Sequence, residues 1–305
     1  MNKETKDIKY LITGSTGATG GKAIRVLLQK GYKVRAFAHG EDERSRKLQE
    51  LGVEVVFGDL LNLDDVSRAL QGIQRAYFVY PIRPGLLTAT AIFAQAAKEA
   101  GVEAIVNMSQ ISARREAKSH AAREHWLAER VFDWSGTPVT HLRPTFFAEW
   151  LLYHATDIRE GTLALPLDPA ARHAPISTED QSRVIAAILE NPEPHNGQIY
   201  PLYGPKEYTQ PEVAQVLSSV LGRKIEYKHL DYESWKALKL ARAKAAPNTV
   251  AARFASDHLL QHLQEVTLDH KNGVFAGTND YILQIGGQPP TTLEEYIQQH
   301  KAAFE

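Results

Sequence analysis

A chain of 305 residues has room for one large α/β domain, or for a nucleotide domain with a smaller lobe. Its 35 Lys and Arg balance 36 Asp and Glu, with no basic block to track a phosphate backbone, so nucleic acid is not an expected partner. The absence of cysteine excludes disulfides, thiolate catalysis and Cys-ligated metal centres. Met1 to Lys6 reads as short and polar rather than as a signal peptide, and no apolar run approaches the ~20 residues of a membrane helix. A soluble, cytoplasmic protein is the expectation.

In chain order, Ile8 to Thr13 is β-branched and apolar enough for a buried parallel strand. It runs straight into Gly14-Ser15-Thr16-Gly17-Ala18-Thr19-Gly20, and Ala18 to Gln29 then carries Ala23, Val26 and Leu27 at helical spacing until Gly31. Gly14 and Gly17 let the backbone turn and approach a pyrophosphate without a Cβ in the way. Gly20 lets helix and strand pack closely, and free N–H groups at the helix start meet the phosphates. Strand, turn and helix in this order point to a dinucleotide site.

The rhythm continues. Lys33 to Ala38, Val53 to Phe57, Arg75 to Tyr80, Glu103 to Met108 and Pro138 to Leu142 read as further strands. Helices are predicted over Arg44 to Leu51, from Asp64 or Asp65 as cap to Leu70, over Leu86 to Ala100, and over His120 to Trp134. Strands separated by single helices imply right-handed crossovers and a doubly wound parallel sheet, with ligand across the carboxyl ends of the strands. From Thr145 the pattern changes: an aromatic segment, Phe146, Phe147, Trp150 and Tyr153, precedes a turn-rich stretch from Gly161 to Pro175. Residues 1–145 are therefore read as the dinucleotide domain and 146–305 mainly as an interleaved substrate lobe. Gln198 to Leu202 is predicted to return to the sheet as a seventh strand. Ser177 to Asn191, Gln210 to Leu221, Tyr232 to Ala246, Val250 to Leu263 and Leu293 to Phe304 are predicted helical.

The Gly14, Gly17, Gly20 spacing, Gly58-Asp59 after the third strand and Leu142-Arg143-Pro144 after the sixth resemble the atypical short-chain dehydrogenase/reductases. The similarity is to their NmrA-like branch, which includes NAD(P)H:quinone oxidoreductase type 2 and triphenylmethane or azo dye reductases. Tyr200-Pro201-Leu202-Tyr203-Gly204-Pro205, Thr209-Gln210-Pro211-Glu212, Leu221-Gly222 and Pro289-Pro290-Thr291-Thr292-Leu293-Glu294-Glu295 carry the resemblance through the second half. It implies that Asp59 and Leu60 flank an adenine, that Tyr80-Pro81 lie near the cofactor ribose, and that Pro144 and Thr145 sit by the nicotinamide.

Dinucleotide type is read at the end of the second strand, where a carboxylate favours NAD and a cation favours NADP. His39-Gly40 stands there, with Arg44, Arg46 and Lys47 following, so NADP(H) is favoured over NAD(H), although relatives often place Arg where His39 stands. Short-chain dehydrogenases typically pair a Tyr with a Lys four residues on, beside a Ser. Ser109 matches the Ser, but His125 and Glu129 stand where the pair would be, with His120 or Lys118 as alternatives if the helix register differs. Either Glu129 raises the His125 pKa and leaves an imidazolium to donate a proton, or both residues face solvent on an amphipathic helix. Losing the pair argues against alcohol/ketone interconversion, not against hydride transfer to a conjugated acceptor. Phe146, Phe147 and Trp150 are candidate substrate contacts. His258 and His262 have metal-compatible spacing but no third ligand, so a surface helix is expected and no metal. The leading expectation is an NAD(P)H-dependent reductase of an aromatic, quinone-like or otherwise conjugated molecule. A non-catalytic NADP-sensing regulator with a protein partner, an isomerase or epimerase holding its dinucleotide, and a homodimer stay open.

Overall fold

The computed structural model describes residues 9–245 and 256–305. Ile8, Ala246 and residues 250–255, assigned above to element ends, lie outside the described residues. The first half alternates without exception: β1 Lys9–Ile12, α1 Ala18–Gln29, β2 Lys33–Ala38, α2 Glu43–Glu50, β3 Glu54–Phe57, α3 Leu63–Leu70, β4 Arg75–Phe78, α4 Leu86–Glu99, β5 Ala104–Met108, α5 His120–Ser135 and β6 Val139–Pro144. A 3-10 helix, Ala148–His154, leads into α6 Ala155–Arg159, β7 Thr162–Leu165, β8 Arg172–His173, α7 Thr178–Glu190, β9 Ile199–Leu202, β10 Tyr208–Thr209 and α8 Gln210–Leu221. The chain ends with β11 Glu226–His229, α9 Tyr232–Ala245, α10 Asp257–Lys271, α11 Tyr281–Gly286, α12 Leu293–Gln299 and α13 Lys301–Phe304.

Seven parallel strands form one sheet in the order β3-β2-β1-β4-β5-β6-β9. The order reverses between β1 and β4, which opens a crevice at the carboxyl ends where a doubly wound fold binds its ligand. One face of the sheet buries Tyr10, Ile12 and Tyr77 against Ile24 and Leu27 of α1 and Ile185 and Ile188 of α7. The other buries Leu11 and Phe78 against Phe93 of α4 and Phe132 of α5. Because α7 and β9 both return to this sheet from beyond residue 145, the two halves of the chain interleave. A separate core of Ile158, Leu163, Leu217, Ile297 and Phe304 organises the later elements around two small sheets, β7 with β11 and β8 with β10.

Local chemistry moves several predicted boundaries. The cap of α3 is Asn62, whose side chain accepts from Asp65 N–H at 3.2 Å. Asp64 and Asp65 instead occupy the first turn, where carboxylates complement the helix dipole, and Asp65 also reaches back to the Asp59 N–H at 3.0 Å. Asp42 caps α2 in a reciprocal box with Ser45. The expected helix Leu293 to Phe304 is broken at His300, whose N–H closes onto the carbonyls of Tyr296 and Ile297 while its ring stacks on Tyr296. The aromatic stretch after Thr145 winds as a 3-10 helix, which leaves Phe147 at its start and Tyr153 on the surface. Among the described residues, no helix is long and apolar enough to cross a membrane.

Candidate active site

The turn between β1 and α1 is shaped by its glycines. Gly14 has φ +55°, and a Cβ there would collide with Val79. The Gly17 N–H donates to the Gly14 carbonyl at 2.8 Å. A Cβ on Gly20 would lie 2.5 Å from that same carbonyl oxygen and 2.9 Å from the Thr13 oxygen, both backbone atoms. Ser15 anchors the loop by donating to the Phe37 carbonyl at the end of β2 at 2.9 Å, and Thr19 pairs with Tyr77 at 2.9 Å. Gly14, Gly17 and Ala18 remain exposed, with Thr16 half-buried. No side chain caps α1 and no acidic residue lies in its first turn. Its first N–H groups are therefore free to meet an anion, and the glycine cradle has the open shape that a pyrophosphate requires.

At the outer end of the crevice, His39 is exposed after β2. Arg44 is engaged with Asp42 at 2.6 Å, Lys47 with Glu43 at 2.6 Å and Arg46 with Glu41 at 3.5 Å, all at the surface. Each cation expected to meet a 2′-phosphate thus has a local carboxylate. Asp59 and Leu60 follow β3 half-buried, and one Asp59 oxygen accepts from the Leu61 N–H at 2.9 Å.

The inner end is a cavity of about 230 Å³ at the carboxyl ends of β4, β5 and β6. It brings together nine of the residues singled out in the sequence: Tyr80, Pro81, Ser109, His125, Pro144, Thr145, Phe146, Phe147 and Trp150. His39, Arg44, Asp59 and Leu60 are not among its lining. An engineered cavity of about 150 Å³ admits one benzene ring, so this space has room for more than one ring. Its lining also includes Val79, Ile82, Met108, Gln110, Val266 and Phe275, which the sequence reading missed, and His262, which it places on a surface helix. His262 and Val266 come from α10, whose buried face (Leu260, Leu263, Val266, Asp269, His270) follows helical period. That periodicity was the available signal that His262 faces inward; α10 is not the surface helix expected.

The aromatic wall is a packed cluster. Phe146 meets Trp150 edge-on at 5.8 Å and Phe275 at 4.4 Å, and it leans on the buried His173 and His270 rings. Behind Phe146, Phe147 and Trp150 lies a second, apolar cavity of about 60 Å³ lined by Leu151, Leu165 and Val213.

Neither expectation for the α5 pair survives. Glu129 is fully buried, not solvated. Its carboxylate accepts from Ser109 Oγ at 2.6 Å and from Arg143 Nε and Nη2 at 2.8 and 2.5 Å. His125 is also buried, and its pKa is pushed down to about 4, first by burial and then by His262, against a weaker upward pull from Glu129. At neutral pH the ring is an uncharged imidazole, because desolvation outweighs the one carboxylate nearby. Burial, with His258 adding to it, likewise holds His262 down at about 4. Ser109 gives its proton to Glu129, and Thr145 gives its own to the Phe275 carbonyl at 3.2 Å. Among the described residues, no cluster of His, Asp and Glu is arranged to hold a metal ion.

A parallel sheet with an uncapped, glycine-led helix beside its switch point defines a Rossmann-type dinucleotide-binding protein. The chain belongs to the NmrA-like family, whose sequence pattern matches residues 6–297. It is similar to an NAD(P)H azoreductase from Xenophilus azovorans, 29% identical over 297 residues that cover 96% of this chain and 98% of the relative. It is 28% identical, over the same shares of both chains, to a (4-alkanoyl-5-oxo-2,5-dihydrofuran-3-yl)methyl phosphate reductase from Streptomyces griseus. Among solved structures, the NADPH-dependent quinone oxidoreductase of Escherichia coli complexed with NADPH shares the fold at a TM-score of 0.81 and 22% identity, over 96% of this chain and all of that one.

Proposed function

We propose that this NAD(P)-binding oxidoreductase reduces a flat, conjugated small molecule of the quinone, azo or enone kind by direct hydride transfer, with NADPH as the preferred donor. The observation that carries the reading is the inner cavity. It sits at the carboxyl ends of three central strands, is walled by Phe146, Phe147, Trp150 and Phe275, and has, among the described residues, no Tyr/Lys pair and no cationic acid in its lining. Ketone reduction calls for a strong proton donor at the oxygen, whereas a conjugated acceptor spreads the incoming charge and takes its proton from water. Two relatives support the reading by name: an NAD(P)H azoreductase and a (4-alkanoyl-5-oxo-2,5-dihydrofuran-3-yl)methyl phosphate reductase.

In this reading the glycine turn binds the pyrophosphate through backbone N–H groups, Asp59 and Leu60 flank the adenine, and Tyr80-Pro81 and Pro144-Thr145 shape the ribose and nicotinamide end. The bound dinucleotide supplies a hydride. The protein's part is to stack the acceptor against the aromatic wall, exclude water from one face and keep Ser109 oriented through Glu129. Preference for NADPH rests on Arg44: its ion pair with Asp42 is exposed and screened by solvent, so Arg44 is released at little cost when a 2′-phosphate arrives. The test is NADPH oxidation by the purified protein across quinones, azo dyes, enones and simple ketones, beside titrations with all four dinucleotides. Turnover of conjugated acceptors but not ketones supports the reading. Tight dinucleotide binding with no turnover of any acceptor favours the sensor alternative.

A further inference from the structure

The polar groups of the inner cavity are unequal in what they offer a ligand. Ser109 and Thr145 both spend their hydroxyl protons on protein acceptors, Glu129 and the Phe275 carbonyl, and so present only lone pairs to the cavity. The Gln110 amide nitrogen has no hydrogen-bond partner among the described residues but is shielded from solvent, and its oxygen accepts from Ser112 Oγ at 2.7 Å. His262 is different, because its tautomer is set from outside the cavity. Ser119, the cap of α5, is 1% exposed, and its Oγ accepts from the Ala122 N–H at 3.1 Å. Its other hydrogen-bond partner among the described residues is His262 Nδ1, at 2.7 Å. A buried hydroxyl needs an acceptor for its proton, so Ser119 donates to Nδ1. The neutral ring then carries its hydrogen on Nε2, which has no hydrogen-bond partner among the described residues.

The contact is held in register by the surroundings. The Gln261 side chain accepts from His120 N–H at 3.0 Å and donates to the Lys118 carbonyl at 3.1 Å. About two turns further on, Asp269 is clasped by Arg114 through bonds of 2.9 and 2.5 Å. Three successive contacts thus latch α10 onto the segment that enters α5, and the middle one fixes the imidazole of a residue that lines the cavity.

We infer that the Nε2–H of His262 is the hydrogen-bond donor that meets the substrate heteroatom on which negative charge gathers during reduction. The inference deepens the reductase reading and rests on it. Hydride transfer gives the acceptor two electrons and one proton: a C–H bond of the dihydronicotinamide breaks, and a new bond to hydrogen forms on the acceptor. The charge left on oxygen or nitrogen is held by the neutral imidazole as a donor, and water supplies the second proton, so His262 ends each cycle unchanged. A preorganised neutral donor in a water-poor site acts on the charge that develops, not on the ground state.

Two measurements test this. In ligand-free protein labelled with 15N-histidine, His262 is expected as the Nε2–H tautomer, identified by the signal missing from His262→Gln; an Nδ1–H tautomer overturns the inference. In steady-state kinetics with a quinone, His262→Leu is expected to lower kcat by at least about tenfold with the NADPH dissociation constant unchanged. His262→Gln, which keeps an N–H near the Nε2 position, is expected to recover most of that loss. A purely structural role would lower the melting temperature without this split between the two variants. If His262→Leu keeps wild-type kcat, the donor role is wrong while the reductase reading stands. If the wild type binds NADPH but reduces no acceptor, both fall together.

Discussion

Replacing Glu129 by glutamine changes one atom at the centre of a buried network. The carboxylate is fully buried and accepts three bonds, from Ser109 Oγ and from Nε and Nη2 of Arg143, at 2.6, 2.8 and 2.5 Å. The Arg143 side chain is itself only 21% exposed. An amide in place of the carboxylate sets an NH₂ against the guanidinium and leaves a partly buried cation without its counter-charge. Removing one partner of a buried pair costs about 3–5 kcal/mol, which for a domain of this size lowers the melting temperature by roughly 5–10 °C. Arg143→Met alone is expected to be similarly harmful, since the carboxylate then keeps only the Ser109 hydrogen bond and a longer 3.6 Å contact with Arg130. The double variant leaves neither charge uncompensated and should regain about 1–3 kcal/mol relative to the sum of the singles. Urea unfolding followed by tryptophan fluorescence gives the four free energies of the cycle. A Glu129→Gln loss below about 1 kcal/mol, or strict additivity in the double variant, would refute the claim that this network is desolvated and coupled.

Three further outcomes are expected. Gly20→Ala places a methyl carbon 2.5 Å from the Gly14 carbonyl oxygen; the turn must open, and NADPH affinity measured by titration should fall at least about tenfold, so an unchanged affinity would mean that the phosphates do not use this turn. Arg44→Ala removes only an exposed, solvent-screened ion pair, so stability should hold while the preference for NADPH over NADH falls at least about tenfold; an unchanged preference takes Arg44 out of the cofactor reading. Burial holds His125, His154, His262 and His270 at about 4 and His173 at about 3, all below the ordinary histidine value. The unfolded chain therefore takes up protons first: the stabilisation is complete above about pH 6.5 and is lost as pH falls toward 4, at about 1 kcal/mol per histidine by pH 5.5. The urea midpoint should drop between pH 7.5 and 5.5, and a flat midpoint would refute the burial of these rings.

The strand and helix rhythm was legible because parallel strands buried on both faces are apolar throughout, and because helices carry their own stop signals. Lys33 to Ala38 and Ala18 to Gln29 were placed to the residue. The residues converging on the inner cavity were legible for a related reason: a doubly wound sheet brings the segments after β4, β5 and β6 to one edge whatever their identity. Charge states were not legible. The i, i+4 spacing of His125 and Glu129 suggested a pair, but Glu129 is taken by Arg143, and desolvation, which depends on everything packed around α5, sets the His125 pKa. The bond between Ser119 and His262 joins residues 143 positions apart, and no local pattern encodes it.

That distance bears on how the site works. The dinucleotide turn is built within the first 20 residues and β1 to β4, whereas the acceptor side of the cavity depends on α10 staying latched through Arg114, Ser119 and Lys118. The aromatic wall belongs to neither: Phe146 follows β6, yet it is held in place by Phe275, His173 and His270 from the later elements. On the reductase reading proposed above, sequence changes in α10 and in the segment entering α5 are expected to alter which acceptor is held while leaving the glycine cradle intact. In that reading the binding energy for phosphate lies in backbone N–H groups of the first turn, and the choice of acceptor lies in side chains brought in from the far end of the chain, so the two can vary independently.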